Sequence, residues 1–403
     1  LNTPMSLTSS VGVGYGEDAF SAGASASQDA VARLGSGVKP DAFIVFSSSK
    51  YDQEQMLKGV RSINSEALLV GSSTAGEIST EGPVGRSSVV VMALSSQSVK
   101  FFAAVGDPVS KGPHNAGKTV ADAVKAKAGG DLKTFIMLPD VLNGNGAETV
   151  RGVLESLGEH FPVVGGASGD DFQFKKTYQY LNDKVYSDSV VGLGLTGDFK
   201  IGIGVKHGWI PVGAPMKVTK SEGGVLHEVN GMPAIKVYED YFGVEEASVL
   251  KTETLAKLAI TYPLGIKVED SEELLIRDPL SVDANGSITC AAEIPEGSDI
   301  RLMIGSIEEA VKVAKMAAKN ALDQLEGATP KAIIIFNCIA RNKLFGSRSG
   351  EEITAIQEVL GRDVPLIGFY TYGEQAPMNG EVKNINQCNS AFHNETVVVA
   401  VLG

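Results

Sequence analysis

Two stretches far apart in the chain carry one pattern. Val70-Gly71-Ser72-Ser73-Thr74-Ala75-Gly76-Glu77 and Ile367-Gly368-Phe369-Tyr370-Thr371-Tyr372-Gly373-Glu374 both read apolar-Gly-x-x-Thr-x-Gly-Glu. A third stretch, Val164-Gly165-Gly166-Ala167-Ser168-Gly169-Asp170, is one residue shorter and keeps the order apolar, glycine, hydroxyl, glycine, carboxylate. Internal repetition of this kind constrains a chain more than any local propensity does, because each copy must find an equivalent place in the fold.

The surroundings repeat as well. Phe43 to Phe46, Phe135 to Leu138 and Ala332 to Phe336 are short apolar runs that read as buried strands. Each leads through a polar loop into a helix, near 53–62, 147–157 and 350–360. Asp52 with Gln55, Asn145 with Glu148 and Ser349 with Glu352 each place a capping side chain three residues before Glu or Gln. The chain returns through 67–70, 162–164 or 365–367 into the glycine motif. Ser88 to Leu94 with Val99 to Val105, and Val190 to Leu195 with Lys200 to Val205, read as antiparallel hairpins, and Thr396 to Leu402 as a terminal strand. The expected fold is α/β in the mixed α+β sense. Repeated β-α-β units plus β-hairpins form mixed sheets packed face to face, with helices outside.

Residues 206–230, with Gly208, Pro211, Gly213, Pro215, Gly223 and Gly224, read as a connector rich in turn formers. They divide the chain into expected domains 1–225 and 226–403. Beyond them, Ala234 to Phe242 reads as a helix, Asn285-Gly286 as a hairpin turn, and Ser306 as the cap of a helix to Leu325. In that helix Ile307, Val311, Ala314, Ala318, Ala321 and Leu325 form an apolar stripe suited to core.

Composition narrows function by exclusion. With 48 acidic against 35 basic residues the formal charge is −13, which repels phosphate backbones and anionic lipid and argues against nucleic acid as partner. No apolar run approaches the ~18 residues of a membrane span, and residues 1–20 show no secretory pattern. The three cysteines, Cys290, Cys338 and Cys388, make no CxxC pair, so a reducing cytoplasm is expected.

A wider set of motifs carries a resemblance: Val164 to Phe172, Gly231-Met232-Pro233-Ala234, Tyr262-Pro263-Leu264-Gly265, Arg277-Asp278-Pro279, Cys338-Ile339-Ala340-Arg341 and Gly368 to Glu374. Together, from about residue 38 to 380, the chain resembles the FIST family (F-box and intracellular signal transduction), with the boundary near 225 separating an N-terminal from a C-terminal FIST domain. The resemblance implies a sensory module that binds a small ligand, such as an amino acid, and signals through a separate protein. A histidine kinase, a cyclic-dinucleotide enzyme or a chemoreceptor is the implied partner. It also implies a haem and nitric-oxide link in some members. Ala340 departs from the family's Cys-x-Gly-Arg.

Ligands of strand-helix units collect beyond the carboxyl ends of parallel strands. Ser47 to Ser49, Pro139-Asp140 with Asn143 to Asn145, and Asn337-Cys338 with Arg341 mark those ends. The expected ligand-binding set is Ser73, Thr74, Glu77, Asp140, Asn143, Ser168, Asp170, Cys338, Arg341, Tyr370, Thr371, Tyr372 and Glu374. For an amino-acid-like ligand, Arg341 or Arg348 takes the carboxylate, and Glu374 or Asp140 the ammonium. Glu77 and Glu374 equally suit a structural duty at a tight glycine turn, and Asn145 and Ser349 suit plain helix caps.

Gly12-Val13-Gly14-Tyr15-Gly16 lacks dinucleotide spacing, and no phosphate-binding loop occurs. The histidines at 114, 160, 207, 227 and 393 lack zinc spacing, so no metal is expected. Haem needs only one axial ligand, and His207, followed by Cys338, is the candidate. Cys338 or Ser168 could serve a hydrolase, but Ser168 is not set in a nucleophile elbow. The expectation is a cytoplasmic, non-catalytic sensor of a small polar ligand, with a haem-based gas sensor as the alternative and a Cys- or Ser-dependent hydrolase behind it. The 206–230 connector is the expected hinge.

Overall fold

The structure is a computed structural model that describes residues 7–243, 252–269, 271–378 and 390–403. Cys388 lies outside them. Each sequence repeat is one folded unit. The first runs through strand Thr8–Tyr15, helix Ala19–Leu34, strand Ala42–Ser48, helix Gln53–Ile63, strand Leu68–Thr74, hairpin Glu77–Ser79 with Gly82–Pro83, and strand Ser88–Ser95. The second repeats the order as Val99–Gly106, Pro113–Ala128, Thr134–Pro139, Gly146–Leu157, Val163–Gly166, hairpin Gln179–Leu181 with Lys184–Tyr186, and Val190–Gly197. The third has Ile201–Lys206, Ile307–Asp323, Ala332–Cys338, Ser349–Leu360, Leu366–Thr371, hairpin Glu374–Pro377 with Ser390–His393, and Val397–Leu402. We call the strands of a unit opening, central, return, hairpin and closing.

Within every unit the sheet order is opening, closing, central, return. Central and return strands are parallel and joined by a helix, while the closing strand lies antiparallel between the opening and central strands. The hairpins do not stay at home. That of the first unit pairs with the return strand of the third, that of the second with the first, and that of the third with the second. The exchange is cyclic, so each sheet is completed by a neighbour.

Alternate residues of these strands face opposite sides. Ile44, Phe46, Val90, Met92, Leu138, Val164, Val191, Leu193, Ile334, Phe336, Phe369, Val398 and Ala400 point between the sheets and make one core common to all three. Phe43, Val45, Val89 and Val91 pack outward on Ala22, Ala26, Met56 and Val60 of the first unit's helices. The expected arrangement of sheets inside and helices outside is present, with three sheets sharing the interior. The opening strands need glycine for this: a Cβ on Gly14 would fall 1.9 Å from the Ala22 carbonyl oxygen, and one on Gly12 2.2 Å from that of Ala26. The Gly12-Val13-Gly14 run is therefore a strand over which a helix lies close.

Three local expectations are corrected. Ser88–Ser95 and Val99–Gly106 form no hairpin, nor do Val190–Gly197 and Ile201–Lys206, because each closing strand is already flanked on both edges by strands of its own unit. The next strand starts a new sheet instead. Residues 206–230 are largely extended, as strands Ile210–Glu222 and Val225–Val229. Pro211, Gly213 and Pro215 are accommodated there by a register shift between Val212 and Met216. Ser349 caps nothing, since the 3-10 turn Gly346–Arg348 runs straight into helical geometry. Asp52, Asn145 and Ser306 do cap their helices, each accepting a first-turn N–H.

Strands Ile210–Glu222 to Asp299–Ile304 belong to an insert between the opening strand and first helix of the third unit. It has its own core of Leu226, Tyr238, Leu264, Ile288, Ile300 and Leu302. The opening strand Ile201–Lys206 pairs with Val397–Leu402 near the other end of the chain, so the third unit straddles residue 225. Among the described residues no helix is long and apolar enough to cross a membrane.

Candidate functional site

The glycine motifs build the same polar node three times. In the first unit the Thr74 hydroxyl donates to one Glu77 carboxyl oxygen and Ser88 Oγ to the other, at 2.5 Å. In the third, Thr371 and Thr396 donate to Glu374 in the same way, Thr396 at 2.7 Å. The turns between need glycine, with φ of 133° at Gly76 and 145° at Gly373. The second unit corrects the reading of its shorter motif. Glu77 lies opposite Phe369, Glu374 opposite Gly166, and Gln179 opposite Ser72. Gln179, not Asp170, holds the carboxyl's place. Its Nε2 donates to Ser168 Oγ at 3.0 Å, and Ser189 Oγ donates to its Oε1 at 2.8 Å.

An amide in one of three equivalent positions shows that the node needs hydrogen bonds rather than charge. The electrostatics agree. Burial pushes Glu77 and Glu374 up to about 8, against the lowering pull of their hydroxyl partners, so both are mainly neutral at pH 7. The backbones of the motifs interlock around these nodes. Ala75 N–H donates to Tyr370 O at 3.0 Å, Ala167 N–H to Gly373 O at 2.7 Å, and Gly169 N–H to Ser73 O at 3.0 Å.

The other expected residues are distributed among the three units. Ser73 Oγ donates to Gly169 O and accepts from Tyr178 N–H, both at 2.8 Å. Asp170 accepts the N–H groups of Phe174, Lys175 and Lys176 and the Tyr372 hydroxyl. Asp140, at the end of the second central strand, accepts from Leu142 and Asp188 N–H and from both the N–H and the side-chain amide of Asn143. Tyr370 is buried with its ring against Gly76. Arg348 is exposed and paired with Glu351 and Glu308. Arg341 is fully buried, and all five of its donors are used. Nε and Nη2 bond Glu352, Nη2 also Ala310 O, and Nη1 the carbonyls of His207 and Glu395. Cys338 is buried beside Glu374 and Glu395, which together with desolvation hold its thiol well above its ordinary value.

The three units differ at one point, where the first has Ser87. The residue before the closing hydroxyl is Asp188 in the second unit and Glu395 in the third, with φ of 53° and 58°. Asp188 accepts from Ser110 N–H at 2.8 Å and Ser110 Oγ at 2.5 Å, just past the opening strand. In the third unit the chain leaves for the insert at that point. Glu395 is fully buried and, among the described residues, neither of its carboxyl oxygens is hydrogen-bonded, nor is the neighbouring Asn394 Oδ1. Desolvation and the nearby Asp278 carboxyl drive Glu395 well above its ordinary value, and burial raises Asp278 to about 7.

Beside this turn lies a cavity of about 20 Å³ between body and insert. Lys206, His207, His393 and Thr396 line it from the body, and Ser271, Glu273, Leu274 and Leu275 from the insert. Its volume admits a water-sized group. His207 Nδ1 accepts Trp209 N–H at 2.9 Å, so the neutral ring carries its hydrogen on Nε2, which faces Glu273 Oε2 at 3.9 Å across the junction. Burial, with Arg341 and Lys206 nearby, lowers His207 to about 3 and keeps it neutral. Lys206 pairs with Glu273 across the junction. Cys338, Arg341, Thr371 and Glu374 of the expected set meet this corner: Cys338 N–H donates to Thr396 O at 3.0 Å, and Thr396 N–H to Glu374 at 3.2 Å.

Models of the FIST N domain and the FIST C domain match residues 41–232 and 234–377. The chain belongs to the FIST family. FIST domains are associated with sensory signalling and small-ligand binding. Similar curated proteins include an uncharacterized protein of Mycobacterium tuberculosis (strain CDC 1551 / Oshkosh), 24% identical over 62% of this FIST chain and 63% of its own. An uncharacterized protein of Methanocaldococcus jannaschii is 25% identical over 69% of this chain and 56% of its own. The matches thus span less than two thirds of those relatives. Among solved structures, cyanuric acid hydrolase from A. caulinodans aligns over 99% of both chains at 8% identity and a TM-score of 0.41.

Sequence reading missed Ser88, Gln179, Ser189, Thr396, Asn394, Glu395 and Glu273 of the FIST chain. A signal for three of them was present, since Ser88-Val89-Val90, Ser189-Val190-Val191 and Thr396-Val397-Val398 place one hydroxyl before each closing strand.

Proposed function

We propose that this FIST protein is a cytoplasmic, non-catalytic sensor that seats the polar end of a small, amino-acid-like ligand at the junction of body and insert and signals through a separate partner. The observation that carries the reading is the unsatisfied carboxyl of Glu395. Where Asp188 of the second unit is satisfied by Ser110, the Glu395 carboxyl is buried without a donor among the described residues, in a turn whose neighbours His393 and Thr396 line a cavity. A ligand ammonium supplies donors to Glu395 and Asn394, which lie behind the cavity wall, between the lining residues His393 and Thr396 in sequence. A ligand acceptor takes the His207 Nε2 hydrogen. Arg341 contributes by holding the His207 and Glu395 carbonyls, its own donors being committed. The Lys206–Glu273 pair spans the two parts that a ligand would draw together, and a ligand that favours the closed form shifts the population seen by the partner. A histidine kinase, a cyclic-dinucleotide enzyme or a chemoreceptor is the partner class.

A hydrolase is disfavoured by the raised thiol of Cys338, since the thiolate is the nucleophile, and by Ser168 Oγ being buried and tied to Gln179. The haem reading does not fit His207 as placed, because iron needs a bare ring nitrogen and Nδ1 is engaged while Nε2 bears the hydrogen. Calorimetric titration with the common amino acids tests the proposal. A binder whose affinity drops at least tenfold in both Glu395→Gln and His207→Phe supports it. Undiminished binding in both variants, or no binder in the set, overturns it.

A further inference from the structure

The second unit carries an addition the other two lack. In the first and third units the glycine turn passes directly into the exchanged hairpin, whereas residues 170–178 form an extra loop before Gln179. It lies over the interlocked motifs, tied by Asp171 N–H to Thr74 O at 3.2 Å. Asp171 has φ of 55°, Phe172 of 66° and Phe174 of 53°, three non-glycine residues in the left-handed region within four positions. Such a backbone is costly for a non-glycine residue and persists only where the surroundings enforce it. Here the enforcement is visible. The Asp170 carboxylate gathers three successive N–H groups, at 2.8 Å from Phe174, 2.6 Å from Lys175 and 2.9 Å from Lys176. Asp171 turns its carboxylate toward the Ser48 and Ser49 hydroxyls, at 3.4 and 3.3 Å.

This strain leaves two large apolar rings only partly buried. Phe172 is 39% and Phe174 44% exposed, although a phenylalanine normally gains most by being buried. The two rings lie 4.8 Å apart, and Phe174 stacks on Tyr372 at 4.7 Å, so both are held in place from below. Cations surround them. The Lys343 ammonium stands 5.3 Å from the Phe172 ring, and Lys175 and Lys176 are exposed beside Phe174. The loop's own carboxylates, Asp170 and Asp171, are turned onto backbone N–H groups and the Ser48 and Ser49 hydroxyls, so on a chain of net charge −13 the exposed charge here is positive.

We propose that the 170–178 loop is a preformed docking platform for an acidic segment of a partner protein, with Phe172 and Phe174 as apolar anchors and Lys175, Lys176 and Lys343 as their charged rim. Fixed aromatic anchors lose little freedom on binding, and rim charges steer an oppositely charged partner. Nucleic acid is the poorer occupant, because it adds a long polyanion against the whole negative chain.

The test is selection of a random twelve-residue peptide library on the full chain, then titration of the enriched peptides. Enriched peptides should carry several Asp or Glu beside one or two apolar residues. Their affinity should fall at least tenfold in Phe172→Ser/Phe174→Ser and several-fold in Lys175→Glu/Lys176→Glu, with circular dichroism unchanged. Binding should also weaken as salt rises. No enrichment, enrichment of basic or neutral peptides, or equal affinity for both double variants overturns the proposal. So does tighter binding of a single-stranded oligonucleotide, or self-association that vanishes with the two phenylalanines.

Discussion

Glu77, Gln179 and Glu374 occupy one position in three copies, and the chain itself has made the substitution that tests their role. Glu77 and Glu374 titrate near 8 in the fold against about 4.5 when exposed, so the folded state binds more protons between those values. Their contribution is full below pH 4.5 and is lost as pH rises toward 8. Glu77→Gln/Glu374→Gln should fold, and its melting temperature should drop less between pH 5 and pH 8.5 than that of the parent. The reverse change, Gln179→Glu, should destabilise more at pH 8.5 than at pH 5. Parallel pH profiles for parent and variants would refute the neutral reading. Arg341 is the opposite case, a charge wholly enclosed by its partners. Arg341→Ala leaves Glu352 buried without its counter-charge, held only by Asn337, and denaturant titration should register a loss of about 3–5 kcal/mol.

At the scale of elements, the strand-loop-helix-strand order of each unit was legible because apolar runs, caps and glycine turns are local signals. Asp52 and Asn145 announced their helices correctly. Ser349 did not, because Glu352 three residues on is turned inward to Arg341 and Asn337 rather than back to the helix start. The sheet partners were hidden for a different reason. Glu77–Ser79 pairs with Leu366–Thr371 across most of the chain, and no periodicity in either segment reports such a pairing. Gln179 was concealed by the loop that delays it, which left Asp170 looking like the third carboxylate. The tight glycines of the opening strands were visible as letters but not as contacts. Gly14→Val should cost about 1–3 kcal/mol or more, read from thermal unfolding, since its side chain would meet the Ala22 carbonyl.

For the whole molecule, the cyclic exchange of hairpins makes the three units interdependent. A chain ended at residue 225 would leave Ile201–Lys206 without Val397–Leu402 and the second sheet without its visiting hairpin. Such a fragment should lack a cooperative thermal transition, whereas the full chain should lose its secondary structure in one. The insert has a core of its own, so Trp209 fluorescence, placed at the junction, should report any earlier loosening of that part. Coincident fluorescence and circular-dichroism transitions would mean that the insert is locked to the body, and would count against a mobile junction in the sensor.

A ring of three mutually latched parts also has no privileged first part. The closing strand of one unit is followed by a few residues and the opening strand of the next, at Ser95 to Val99 and again at Gly197 to Ile201. Strands Val397–Leu402 and Thr8–Tyr15 stand in the same relation and are close in space. Lys331 donates its N–H to Leu402 O at 2.7 Å and accepts from Ser9 Oγ at 2.5 Å. Circular permutants that connect Leu402 to Thr8 through a short linker and open the backbone at either of the two crossings should reach the same native structure, because connectivity there is incidental to the lattice of contacts.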